Sequence, residues 1–143
     1  MTSGDPFDLN RFVTAQAPVI GQVTRELAAG RKTSHWMWFV FPQLRGLGHS
    51  AMSYRYGIAS LDEARAYLAH PILGARLRDC VHLVNRYQNR TIREIFGSPD
   101  DLKFHSSMTL FDKAGGHAEP FIIALNIYFA GIGDEATLRS LGG

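Results

Sequence analysis

Helix-start signals recur along nearly the whole chain, and they leave little room for any fold but a helical one. Asp5-Pro6 joins an N-cap residue to a proline at the first helical position, which predicts a helix running through about Gln16. Pro18 restarts the chain, and Val19, Val23 and Leu27 then recur every four residues, on one helical face. Gly30 suits the left-handed position that follows a helix end. Ser60 with Glu63, and Thr91 with Glu94, have capping-box spacing. Pro71 opens a longer helix with Leu73, Leu77, Val81 and Val84 as its buried stripe. Ser98-Pro99 opens another, Pro120 precedes the apolar run Phe121 to Phe129, and Asp134 caps a last short helix.

Evidence for strands is thin. The β-rich segment is Trp36 to Phe41, WMWFVF, whose periodicity fits neither element cleanly. Ser34 can cap it as a helix and Pro42 must end it, so a short buried helix is expected, with a buried strand as the minority option. The expected fold class is all-α: a single compact multi-helical domain, residues 1–143, of seven to ten short helices. A chain of 143 residues suits one core better than two. Its one cysteine, Cys80, excludes an internal disulfide framework and a Cys-rich zinc site. The apolar run Trp36 to Phe41 falls far short of the roughly 20 residues of a membrane span. MTSGDPFDLN has early acids and no apolar stretch, unlike a signal peptide, so a soluble, cytoplasmic protein without membrane partners is expected.

Charge is unevenly placed. Between Arg31 and Arg93, ten cations face three acids, a net +7, whereas from Ser98 onward three cations face six acids, a net −3. Such a basic segment can attract an anionic partner, or the two halves can pair across the fold.

Chemistry-bearing residues concentrate in RKTSHWMWFVFPQLRGLGHS, residues 31–50, which holds both tryptophans, His35, His49 and three cations. The aromatics are first of all core residues. Lys32 and His35, however, can sit at a pocket mouth whose wall is Trp36 or Trp38. Gly46 and Gly48 permit close backbone approach, and Ser50 can start a helix, although neither a Walker loop nor a full GxGxxG is present. In DDLKFHSSMTLFD, helical spacing lets Lys103, Ser106 and Ser107 share a face. Lys-x-x-Ser reverses the Ser-x-x-Lys order, and helical Ser and Thr more often bond back to the preceding turn. No histidine pair has metal-ligand spacing, so no metal and no cofactor is expected. Cys80 reads as an inert buried thiol.

Four strings together, DPFDLNRFVTAQ, GRKTSHWMWFVFPQLRGLGHS, YLAHPILGARL and IFGSPDDLKFHSSMTLF, resemble the bacterial domain of unknown function 1810 family over nearly the whole chain. The resemblance implies an all-helical fold of its own and supplies no reaction. The calpastatin label sometimes attached to that family implies disordered repeats, and this aromatic, non-repetitive sequence does not fit it. Asp100, Lys103, Ser106 and Ser107 are among the residues matching the family's last block.

These readings converge on a small anionic ligand, phosphate- or carboxylate-bearing, held where residues 31–50 meet residues 100–112. Lys32, Arg45 and Lys103 would pair with the anion, with Gln43, Gly46, Gly48, Ser50, Ser106 and Ser107 around it. Trp36 or Trp38 would stack on a ring, and His35 is the catalytic candidate for proton transfer because its ordinary pKa lies near neutrality. The alternative is a protein- or nucleic-acid-interaction module using the basic Arg31–Arg93 face.

Overall fold

A computed structural model describes residues 5–142, so Met1 to Gly4 of the N-terminal string MTSGDPFDLN lie outside the described residues. Ten helices follow in order: α1 Asn10–Gln16, α2 Ile20–Ala28, α3 Met37–Val40, α4 Ala51–Arg55, α5 Leu61–Ala69, α6 Leu73–Asn85, α7 Ile92–Phe96, α8 Asp100–Ala114, α9 Phe121–Phe129 and α10 Glu135–Ser140. The described residues contain no strand, only an isolated parallel bridge between Leu44 and Ile58. Trp36 to Phe41 is therefore helical at its centre. None of these helices is long and apolar enough to cross a membrane.

Local chemistry explains most of the boundaries. Thr91 and Glu94 form a complete capping box at α7, with Glu94 N–H donating to Thr91 Oγ1 (3.1 Å) and Thr91 N–H to Glu94 Oε1 (2.7 Å). Ser60 caps α5 through Glu63 N–H, but the Glu63 carboxylate turns instead to Ala59 N–H and Arg11, so that box is only half made. Asp5 accepts from Leu9 N–H (2.6 Å) and Asn10 N–H (2.8 Å), which places its capping role a turn later than its sequence position suggests. Residues 6–9 form the turn, and α1 begins at Asn10. At α6, His70 Nδ1 accepts from Ile72 N–H (3.1 Å) and Leu73 N–H (3.2 Å), a side-chain cap that the sequence reading had credited to Pro71. Gly30 adopts φ +76°, and an added Cβ there would meet the Tyr87 ring at 2.8 Å.

One continuous core runs through every region, from Phe12 and Val23 to Phe121 and Leu125. Its axis is α8, which packs against α5, α7, α9 and α10. From Ser106 to Asp112 every residue of α8 is buried. A helix enclosed on all sides is normally apolar throughout. This one carries Ser106, Ser107, Thr109 and Asp112 into the interior, so its polar groups need partners there.

Candidate functional site

The segment between α2 and α3 owes its shape to one carboxylate. Glu26 shares the buried side of α2 with Val23 and Leu27. Its Oε1 accepts from Thr33 N–H (2.8 Å), Ser34 N–H (3.0 Å) and Trp36 Nε1–H (3.0 Å). Its Oε2 accepts from Gln22 Nε2–H (2.7 Å) and from the Ser34 hydroxyl. Burial alone would raise the Glu26 pKa. The donors on Ser34, Thr33 and Gln22 outweigh it and hold the carboxyl well below its usual range. Ser34, expected to cap α3, is thus committed to Glu26, and α3 starts from Trp36 without a side-chain cap.

This clamp delivers Lys32 to α8. Lys32 Nζ donates to Ser34 O and pairs with Asp100 Oδ2 at 2.8 Å, while lying 5.0 Å from the Trp36 ring centroid. The other oxygen of Asp100 faces Lys103 Nζ at 3.4 Å, and Lys103 in turn lies 5.4 Å from the Trp38 ring centroid. The two predicted segments therefore meet. Two lysines, one from each, share a single carboxylate beside two indole faces. They differ in access: the Lys32 side chain is 6% exposed and that of Lys103 23%.

Lys103, Trp38, Gln43 and Ser53 line a recess floored by Phe41 and Tyr56. Its enclosed volume is about 10 Å³, room for a single water. Gln43 is anchored through its backbone carbonyl, which accepts from Ile58 N–H (2.9 Å). Its side-chain amide has no partner among the described residues. Gly57 lets the walls close, since a Cβ there would meet Arg45 Cα and Ser53 O at 2.8 Å. Gly48 packs on Ser53 in the same way, with Ser53 Cβ 2.6 Å from where its own Cβ would lie.

The remaining expected residues lie around or beyond this recess. Ser50 caps α4, its Oγ accepting from Ser53 N–H at 3.0 Å. Gly46 takes φ +101° with open space around it. Arg45 is exposed, donating to Tyr54 O (3.2 Å) and lying 4.8 Å from the Tyr54 ring centroid. His35 is exposed in the clamped segment. Trp36 is 1% exposed. Ser106 bonds back to Leu102 O (3.2 Å) and to Asp134 Oδ2 (3.3 Å), while Ser107 is fully buried with no partner for its hydroxyl. Neither serine lines the recess. Burial pushes the Cys80 thiol up to about 12, with Asp79 adding to the effect, so it stays protonated at neutral pH.

Three residues of the site carried no role in the sequence reading: Glu26, Asp100 and Ser53. For Glu26 a signal existed, because it stands three residues after Val23 and one before Leu27, on the stripe already marked as buried. Nor do the two charged halves neutralise each other broadly. Among the described residues the basic segment meets the acidic one in a single ion pair, Lys32 with Asp100.

Nine helices around one polar-cored central helix, with no sheet among the described residues, define an all-helical class. The chain belongs to the DUF1810 family, described as proteins of unknown function, whose profile matches residues 6–141. In three dimensions it is similar to the conserved hypothetical protein Rv1873 from Mycobacterium tuberculosis, known from a crystal structure. The two share 58% sequence identity and a TM-score of 0.95 over 97% of this chain and 99% of that one. No curated protein matches the sequence.

Proposed function

We propose that this protein binds a small anionic molecule, phosphate- or carboxylate-bearing, at the mouth of the Trp38–Lys103 recess. One observation carries the reading: Lys103 shares Asp100 with Lys32 and remains partly exposed over the Trp38 ring. Two cations on one carboxylate leave the cluster with a net positive charge, and Lys103 is the member a ligand can reach. The Gln43 amide and the Ser53 hydroxyl supply hydrogen-bonding groups on the same rim. Because the interior admits only one water, a ligand ring would lie across the exposed part of Trp38 rather than inside. Lys32, Asp100 and Glu26 position this arrangement, and His35 is the proton-transfer candidate if a reaction occurs. Tryptophan fluorescence titrated with nucleotides, nucleotide sugars and sugar phosphates tests the idea. A response in wild type that is lost in Lys103→Ala is expected, and silence across the whole panel would defeat it.

A second reading has its own support. Arg31 and Arg90 flank an open groove of about 580 Å³ together with Glu94, within a segment whose arginines mostly lack carboxylate partners among the described residues. This is the place where an acidic protein surface or a nucleic-acid backbone would bind. A low-salt gel shift that weakens steeply with salt is the expected signature of the nucleic-acid form.

A further inference from the structure

The segment after α3 brings a third cation to the rim of the Trp38–Lys103 recess. Leu44 pairs with Ile58 in the isolated parallel bridge, where Gln43 O accepts from Ile58 N–H (2.9 Å) and Arg45 N–H donates to Ile58 O (2.8 Å). Side chains alternate along such extended backbone. Gln43 and Arg45 therefore leave it on one side, and Leu44, 6% exposed, on the other. Gln43 lines the recess. Arg45 stands two residues further on, about 6.6 Å along the segment at the usual strand rise. Its main chain also packs closely on Gly57, another residue of the recess wall.

Arg45 is held in place but not satisfied. Its Nε–H donates to Tyr54 O (3.2 Å), and its guanidinium carbon lies 4.8 Å from the Tyr54 ring centroid, within cation–π range. The Tyr54 ring is 68% exposed, so this pair stands open to solvent. Both terminal guanidinium nitrogens lack an acceptor, and no carboxylate pairs with Arg45, among the described residues. A guanidinium presents its donors as a planar fork that matches phosphate oxygens two at a time. Ser53, the residue before Tyr54, also lines the recess. Its Oγ accepts from Ser50 Oγ–H (3.0 Å), which leaves its own hydroxyl proton unused. Lys32, Lys103 and Arg45 together face the single carboxylate of Asp100, a surplus of two positive charges. One anionic group at Lys103 would leave Arg45 idle, whereas two linked groups engage both.

We propose that the ligand of this site is a nucleoside diphosphate, an inference that rests on the anion-binding reading above and narrows it. The base lies on Trp38, and the inner phosphate meets Lys103. The outer phosphate takes the two free nitrogens of Arg45, and the Ser53 hydroxyl donates to a phosphate oxygen. The Tyr54 ring and carbonyl hold the guanidinium ready for this contact. A free phosphate or a nucleoside monophosphate fills only the Lys103 half of the site.

Isothermal titration calorimetry of the full chain with adenosine, AMP and ADP tests this. ADP should bind about tenfold tighter than AMP, the scale of one charge-assisted contact, and adenosine should bind weakest. In Arg45→Ala, a change at an exposed side chain, ADP should fall to the level of AMP while AMP keeps its wild-type affinity. In Lys103→Ala both nucleotides should be lost. AMP binding that needs Lys103 but is matched by ADP would overturn the diphosphate assignment and leave the anion site standing. An ADP–AMP gap that survives in Arg45→Ala would do the same. Silence of wild type toward both nucleotides would also overturn it, and the wider panel of anions then decides whether the underlying reading goes with it.

Discussion

Glu26 and Asp112 are both buried carboxylates, and they are provisioned in opposite ways. Glu26 receives five hydrogen bonds from its own chain and has no oxygen to spare. Asp112 has one oxygen held by His117 and one with no donor. A carboxylate whose acceptor capacity is filled internally is a structural clamp, because any ligand would have to displace bonds the fold depends on. One with an unfilled oxygen sealed inside the fold leaves part of its acceptor capacity unused, so the fold depends on it less. Asp100 lies between these cases. Both its oxygens are engaged, but by two lysines, and one of those is partly open to solvent.

Deleting the filled carboxylate should do the most damage. Glu26→Ala leaves the buried Trp36 Nε1–H and two part-buried backbone N–H groups without acceptors, and a loss of about 3–5 kcal/mol in denaturant unfolding is expected. A loss below about 1 kcal/mol would mean that water replaces the clamp and that the contrast is false.

Acid should reveal the same clamp. The folded Glu26 pKa lies below its ordinary value of 4.5, so its contribution is fully present above that pH and is lost as pH falls further. Relative to Glu26→Gln, wild type should therefore show a steeper loss of stability below pH 4.5. Parallel acid limbs for the two proteins would contradict this assignment.

Asp112→Asn should cost far less, within about 1 kcal/mol, because one of its two acceptor oxygens contributes no bond to the fold. His117→Gly should also stay within about 1 kcal/mol, because relief of the left-handed backbone partly offsets loss of the part-buried bond to Asp112 Oδ2. A large destabilisation by either variant would make Asp112 a clamp like Glu26.

Much of the helical frame was legible in the sequence because caps and prolines act locally. Thr91–Glu94, Pro120 and Asp134 stand where their helices begin. Less legible were side chains with a choice of partner. Ser34 had capping geometry on offer but bonded to Glu26 instead, and Glu63 left Ser60 for Arg11. The polar interior of α8 was hidden for another reason. Ser106, Ser107, Thr109 and Asp112 dilute the apolar stripe, so no helical periodicity marks its burial. The meeting of Lys32 with Lys103 was anticipated from residue types, but Asp100 as their common partner needed the fold. His117 was missed altogether, since it stands five residues beyond Asp112 and only the Gly115–Gly116 turn brings it back.

The shared carboxylate also offers the most direct test of the anionic site. Asp100 competes with any incoming anion for Lys103, so removing its charge should strengthen ligand binding, whereas removing the lysine should abolish it. Tryptophan fluorescence titrations of Asp100→Asn, wild type and Lys103→Ala with one phosphate-bearing ligand should rank in that order of affinity. Equal affinities in all three proteins, or weaker binding by a folded Asp100→Asn than by wild type, would contradict a site built on Lys103.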